Sequence, residues 1–337
     1  MVKTQAKRIV TIGGGTGTFV VLKGLKYYPH HLSAIVTMAD SGGSNKRLRD
    51  EFGLLPTSDI RQSFVALSEE NGGVGLLRRL FMYRFAKGRG LRGMTFGNLF
   101  MAALSDILGS QAEAIRQTGK VLRIRGTVIP VSFTKTNLFA TYEDGHVIRE
   151  EHLIDEPRHD GRMGIVDVRL KPKAVASPEA IRAIQQADLV VLGPGDMYTS
   201  LVPNLLVDGI PQALRRATAT IVYVVNLMTK YGQTYGFAAS DHIRTLERFI
   251  GKSIDYTIVN TVPIPARTLA VYAKYHEQAV ADDLPDKAYY HVVRAAVASP
   301  AEVVKSPGDP LVRSLIRHDS ERLSQVLIDI LTKEAKP

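Results

Sequence analysis

A short β-branched run, Arg8-Ile-Val-Thr-Ile12, leads straight into Gly13-Gly-Gly-Thr-Gly-Thr18. Phe19, Val20, Leu22 and Leu25 then follow at helical spacing. Strand, glycine turn and helix form the opening of a βαβ unit. The alternation continues. His31 to Ala39, Thr127 to Phe133, Asp188 to Leu192, Thr220 to Leu227 and Asp255 to Asn260 read as strands. Helical patterns fill Asp59 to about Leu108, Leu201 to Arg216, Ser240 to Phe249 and Asp319 to Lys333. Ser177-Pro178 reads as an N-cap followed by proline in the first turn. Such alternation predicts an α/β fold, a mostly parallel sheet with helices on both faces.

One segment breaks the rhythm. Asn137 to Tyr142 and Val147 to His152 flank Glu143-Asp-Gly-His146, a hairpin signal, and Gly164 to Leu170 reads as a further strand. A small antiparallel hairpin region is therefore expected at about 134–172, inserted into one α/β domain spanning 1–337. No internal repeat or low-complexity linker divides the chain.

Composition narrows the chemistry. Of 337 residues, 45% are hydrophobic and 23% charged, an ordinary globular balance. The formal net charge of +10 favours anionic partners without choosing among them. The chain has no cysteine, which excludes disulfides, thiolate zinc sites, iron–sulfur clusters and cysteine nucleophiles. The run Ile9 to Ile12 is too short for a signal-peptide core, and no apolar stretch approaches the roughly 20 residues of a membrane span. A cytoplasmic protein is the expectation.

In parallel α/β sheets ligands lie beyond the carboxyl ends of the strands. The loops after Ile12, Ala39, Leu192 and Val225 occupy such positions. Gly13, Gly14, Gly15, Thr16 and Gly17 suit a phosphate, because glycine lets backbone N–H groups approach an anion at a helix N-terminus. The run is neither a Walker loop nor a clean G-x-G-x-x-G, which argues against a plain NAD-binding protein. Asp40, followed by Ser41, Gly42, Gly43 and Ser44, has several readings. It could bind a ribose hydroxyl, handle phosphate through Mg²⁺, orient an attacking hydroxyl, or merely cap a turn. Gly193, Pro194 and Gly195, with Tyr198, Thr199 and Ser200, form a second anion-type loop. Asn98 and Asn226 carry amides suited to a base or sugar, though such residues more often cap turns.

The segment Asn71 to Ser105 has no acid but carries Arg78, Arg79, Arg84, Lys87, Arg89 and Arg92 among Phe81, Tyr83 and Phe85. A nucleic-acid surface is one reading. A helix with a packed aromatic face and a solvated basic face carries more weight. No histidine spacing fits zinc, and no metal site is assigned. Any cation would be Mg²⁺, held through Asp40 or Asp59 plus ligand phosphates.

Together, Ile12-Gly-Gly-Gly-Thr-Gly17, Ala39-Asp-Ser-Gly-Gly-Ser44, Asp59-Ile-Arg61, Phe96-Gly-Asn98, Gly193-Pro-Gly195 with Tyr198-Thr-Ser200, and Asn226-Leu-Met228 form an ordered set. The set resembles the YvcK family, the gluconeogenesis factors, related to the 2-phospho-L-lactate transferase CofD. The likeness runs from about Arg8 to about Ile330. It implies a Rossmann-like fold and a protein that binds a UDP-sugar such as UDP-N-acetylglucosamine. Such a protein would regulate cell-wall synthesis, cell shape or carbon metabolism, with wall-synthesis or regulatory proteins as partners.

The likeness to CofD implies the alternative, Mg²⁺-dependent transfer of a phospholactyl group from a guanylylated donor. Asp40 would be catalytic only in that case. By motif matching, the two glycine loops would hold the nucleotide, and Tyr272 and Arg317 would face the nucleotide sugar. The sequence departs from the family pattern at Ser41, Asn45-Lys46, Ser58, Met94-Thr95 and Asp196. The oligomeric state is left open, a homo-oligomer included.

Overall fold

The computed structural model describes residues 6–70, 72–299 and 315–334. The opening unit is β1 (Arg8–Gly13), α1 (Gly15–Leu25) and β2 (His31–Val36). Five helices follow: α2 (Gly43–Phe52), α3 (Ser58–Leu67), α4 (Gly72–Met82), α5 (Phe96–Leu108) and α6 (Gln111–Val121). Strand β3 (Thr127–Pro130) leads to the insert, which holds β4 (Asn137–Tyr142), β5 (Val147–Arg149), α7 (Glu151–Asp155) and β6 (Ile165–Lys171). Next come α8 (Pro178–Gln185), β7 (Leu189–Leu192), a π-helical turn at Met197–Leu201, α9 (Val202–Leu205) and α10 (Ile210–Arg216). The chain continues through β8 (Thr220–Val224), α11 (Ala239–Ile250), β9 (Tyr256–Asn260), α12 (Ala266–Ala273), β10 (His291–Ala295) and α13 (Ser320–Glu334).

The main sheet has seven strands in the order β10-β9-β8-β7-β1-β2-β3, and every pairing in it is parallel. Renumbered along the chain, this is the doubly wound order in which connections reverse direction between β1 and β7. The central strands are apolar throughout because both faces are covered. Ile9, Val191 and Val222 turn to one face and pack with Val20, Phe64 and Leu327. Val10, Leu192 and Tyr223 turn to the other and pack with Ile184, Leu214 and Ile243. This is the expected fold class.

The insert forms an antiparallel sheet in the order β5-β4-β6. Its Leu138, Tyr142 and Ile154 share one buried cluster with Val10 and Ile12. The Tyr142 hydroxyl also donates to the Gly232 carbonyl at 3.1 Å.

Several elements differ from the reading of the sequence. The run predicted as strand to His152 stops at Arg149, and α7 takes over. The helix predicted over Leu201 to Arg216 is broken, because Gly209 turns to φ +104° and Pro211 stands in the first turn of α10. Strand β10 and helices α2 and α6 were not foreseen; β10 is an edge strand with no fully buried position. Among the described residues, no helix is long and apolar enough to cross a membrane.

Candidate functional site

A cleft of about 490 Å³ opens at the carboxyl ends of β1, β2, β7 and β8. It straddles the point where the strand order reverses, the expected ligand position in such sheets. Glycines build its floor by close approach. A Cβ on Gly17 would lie 1.9 Å from the Pro194 carbonyl oxygen, so only glycine lets the start of α1 abut the loop after β7. Gly14 would carry a Cβ 2.4 Å from Asp59 Oδ2. Asp59 Oδ1 accepts from the Gly15 N–H at 3.0 Å, which fixes α3 against the glycine loop.

The loop after β7 is held from β8. The Asn226 carboxamide accepts from the Gly195 N–H at 3.2 Å and donates to the Gly195 carbonyl at 3.0 Å. Asn226 therefore lines the cleft and clamps Gly195 from β8.

Acids crowd one side of the cleft. Asp40 accepts from the Gly42 N–H at 2.9 Å and from Asn45 Nδ2 at 2.5 Å. Burial pushes its carboxyl up, and Asp155 adds to the push against those hydrogen bonds. Asp59 is raised to about 7, first by burial and then by Asp40. Glu151 also stands well above the ordinary carboxylate range, from burial and then Asp40 and Asp155. Arg61, which is buried, faces these acids and donates to Asn98 Oδ1 at 3.2 Å. Burial and the nearby Arg84 lower it to about 10.

The opposite wall carries Tyr272 and the segment Ile316 to His318. Tyr272 is buried, and its hydroxyl accepts from the Leu315 N–H at 3.1 Å and the Ile316 N–H at 3.3 Å. It thus anchors the backbone next to Arg317, which lines the cleft.

Of the sequence-predicted residues, Gly14, Gly15, Thr16, Gly17, Asp40, Gly42, Gly43, Pro194, Gly195, Thr199, Ser200, Asn226, Tyr272 and Arg317 line this one cleft. Others do not. Asn98 is buried behind it, where its Nδ2 donates to Ser44 Oγ at 2.9 Å. Tyr198 is buried in the core. Ser41 is buried, with its Oγ 2.9 Å from His152 Nδ1. Gly13 is the end of β1, and its carbonyl accepts from Asn204 Nδ2 at 3.2 Å. Gly193 lies behind Pro194 without lining the cleft.

Lys46, expected beside the Asp40 loop, is exposed on α2. Its neighbour Asn45 is buried, and besides holding Asp40 it accepts from the Thr57 N–H at 3.1 Å and Ser58 Oγ at 3.0 Å. In the basic segment, Phe81 packs with Phe96 and Phe100, and Arg84 turns into the cleft.

Sequence reasoning missed Glu151, His152 and Asp155 of α7, together with Lys230 and Glu277. None stands in a glycine loop, and α7 reaches the cleft only because the insert folds back over it. Among the described residues, no group of three or more His, Asp or Glu side chains is arranged to hold a metal. Both Asp40 oxygens already have partners.

Fold and site define a doubly wound α/β protein whose cleft spans the reversal point between two glycine loops. Comparison with known proteins narrows this. The family model described as 2-phospho-L-lactate transferase CofD matches residues 9–298. The chain is 37% identical to the gluconeogenesis factor of Bacillus subtilis, over 97% of this chain and 99% of that protein. It is 42% identical to the Listeria innocua gluconeogenesis factor, over 80% of this chain and 82% of that one. A crystal structure from Bacillus halodurans, titled as a member of the UPF0052 family, superposes with a TM-score of 0.85 at 35% identity, covering 96% of this chain and 99% of that one. The chain belongs to the gluconeogenesis-factor (YvcK) family, within the wider CofD family.

Proposed function

We propose that this protein binds a nucleotide sugar, a UDP-sugar such as UDP-N-acetylglucosamine, and regulates wall synthesis or carbon use through the bound form. The meeting of two glycine loops at the reversal point carries this reading. Backbone N–H groups at the start of α1 and beside Gly195 suit a diphosphate. Tyr272 and Arg317 across the cleft suit a ring and an anion. The cysteine-free chain fits a reducing, cytoplasmic setting. Because the insert and the sheet share one core cluster, we further propose that 1–337 acts as a single domain.

One observation favours a second reading, a CofD-like transferase. Asp59, raised to about 7 beside the glycine loop, has the proton affinity of a general base working near neutral pH. Asp40 would then position an acceptor hydroxyl.

Calorimetric titration with UDP-N-acetylglucosamine, UDP-glucose, GDP and NAD, with and without Mg²⁺, separates the readings. Selective UDP-sugar binding, with the ligand recovered intact, is the expected result. Preference for GDP with strict Mg²⁺ dependence and turnover abolished by Asp40→Asn would replace it with the transferase. Preference for NAD would refute both.

A further inference from the structure

Lys230, in the loop after β8, sits among acids. Its ammonium lies 3.1 Å from Asp155 Oδ1 and 3.6 Å from Asp196 Oδ2. Burial alone would lower its proton affinity, yet Asp196, Asp155 and Glu277 together hold it above its ordinary value. The partners come from separate places: Asp155 ends α7 in the insert, Asp196 follows Gly195, and both line the cleft with Lys230.

The two carboxylates are not equivalent. Asp155 makes the shorter contact, and its Oδ1 also accepts from Gln233 Nε2 at 3.2 Å. Gln233 is itself fixed, because its Oε1 accepts from the Tyr198 N–H at 3.1 Å. Asp155 is thus part of a network. Asp196 has the longer contact, beyond hydrogen-bond range, and its side chain is 38% exposed against 21% for Asp155. Two carboxylates crowd this one ammonium, next to a loop suited to phosphate, and burial pushes the Asp196 carboxyl up. An anionic ligand lying along Gly195 would meet Asp196 first.

We propose that Lys230 is the side chain that grips the ligand's phosphate oxygens, and that Asp196 holds the place they take. On binding, a phosphate oxygen replaces the Asp196 carboxylate on the Lys230 ammonium. Asp155 stays and keeps the ammonium aimed, and Asp196 turns toward solvent. The cleft then favours ligands bearing phosphate or diphosphate over neutral ones, because only an anion can displace Asp196. The inference rests on the nucleotide-sugar reading of the cleft and adds the residues that set affinity within it.

Calorimetry with two probes, UDP-N-acetylglucosamine and inorganic pyrophosphate, tests it on the full chain and on Asp196→Asn, Lys230→Met and Lys230→Arg. Asp196→Asn is expected to tighten both probes by about fivefold, and Lys230→Met to weaken both by at least about tenfold, the scale of a charge-assisted contact. Lys230→Arg is expected to stay within about threefold of the parent, because the charge is kept. Thermal melting checks folding. If Lys230→Met does not fold, Asp196→Asn, a substitution at a part-exposed side chain, carries the test alone. Unchanged or weaker affinity in Asp196→Asn overturns the proposal, as does absence of binding by either probe to every protein. If both substitutions shift pyrophosphate as expected but UDP-N-acetylglucosamine binds no better than pyrophosphate, the nucleotide-sugar reading fails and Lys230 keeps its role. If UDP-N-acetylglucosamine binds tightly and neither substitution moves it, the reverse holds.

Discussion

Gly17→Ala probes the point where the two glycine loops touch. The added Cβ would lie 1.9 Å from the Pro194 carbonyl oxygen and 2.5 Å from its carbonyl carbon. Non-bonded carbon contacts are comfortable at about 3.5 Å, so the loops must separate by more than about 1 Å. Both obstacles are backbone atoms, so no rotamer change relieves the clash. The Pro194 side cannot drift freely either, since Asn226 clamps Gly195 at 3.2 and 3.0 Å. Overpacking of this kind costs about 3 kcal/mol, the upper end of its usual range. With about 2.1 cal/mol/K of unfolding entropy per residue over 337 residues, that loss lowers Tm by about 4 °C. Differential scanning calorimetry of the variant beside Gly73→Ala measures it. Gly73 lies in α4, and a Cβ there meets nothing within 4 Å, so that control should melt at or slightly above the parent. UDP-N-acetylglucosamine affinity should fall in Gly17→Ala by more than about tenfold, because a 1 Å misplacement is costly in a preorganised site. A Gly17→Ala protein that melts with the parent and keeps its affinity refutes both the packing argument and the placement of the ligand.

Asp59→Asn should change how stability depends on pH. The folded state raises Asp59 to about 7, whereas the unfolded chain releases that proton near 4. The native state therefore binds more protons across that window, and this residue's contribution to stability is lost as pH rises from about 4 to about 7. Buried His242 and His318, both lowered to about 4, act in the opposite sense, so the measurement is the difference between variant and parent in urea unfolding across pH 4–8. A pH-independent difference would show that Asp59 titrates normally. Ser177→Ala removes the N-cap bond to the Ala180 N–H at 3.3 Å and the bond to the Pro130 carbonyl at 2.7 Å, and should destabilise by about 1–2 kcal/mol in the same unfolding assay. Tyr272→Phe removes the acceptor shared by the Leu315 and Ile316 N–H groups. The resulting loss of about 1 kcal/mol should weaken UDP-N-acetylglucosamine about fivefold by loosening the backbone beside Arg317, and titration reads it directly.

The parallel sheet was legible because its central strands must be apolar on both faces, and runs such as Leu189 to Leu192 have no other use. The glycine loops were legible for a related reason: a backbone that approaches within van der Waals contact, as Gly17 does at Pro194, admits no side chain. Strand β10 escaped because an edge strand such as His291-Val-Val-Arg-Ala295 mixes charge with apolar residues and carries no periodic signature. The acids of α7 escaped because nothing near them in sequence marks them. His152 reaches Ser41 across more than a hundred residues of chain, and only the fold of the insert brings them together. Asn98 and Tyr198 were assigned to the cleft by their neighbours in sequence. Tyr198 stands beside Thr199 and Ser200, which line the cleft, but its own side chain joins the core; Asn98 lies in α5 behind the cleft, where it holds Arg61, which lines it.

The seven parallel strands pair only with one another, and the insert contributes no strand to their sheet. What the insert adds is a wall: Glu151, His152 and Asp155 all come from α7, a helix of five residues outside that sheet. Glu151, His152 and Asp155 of α7 face the cleft, whereas Ile154 of the same helix is buried in the core it shares with the sheet. The lining of the cleft is thus drawn from two kinds of structure, the loops of the parallel sheet and one short helix of the insert.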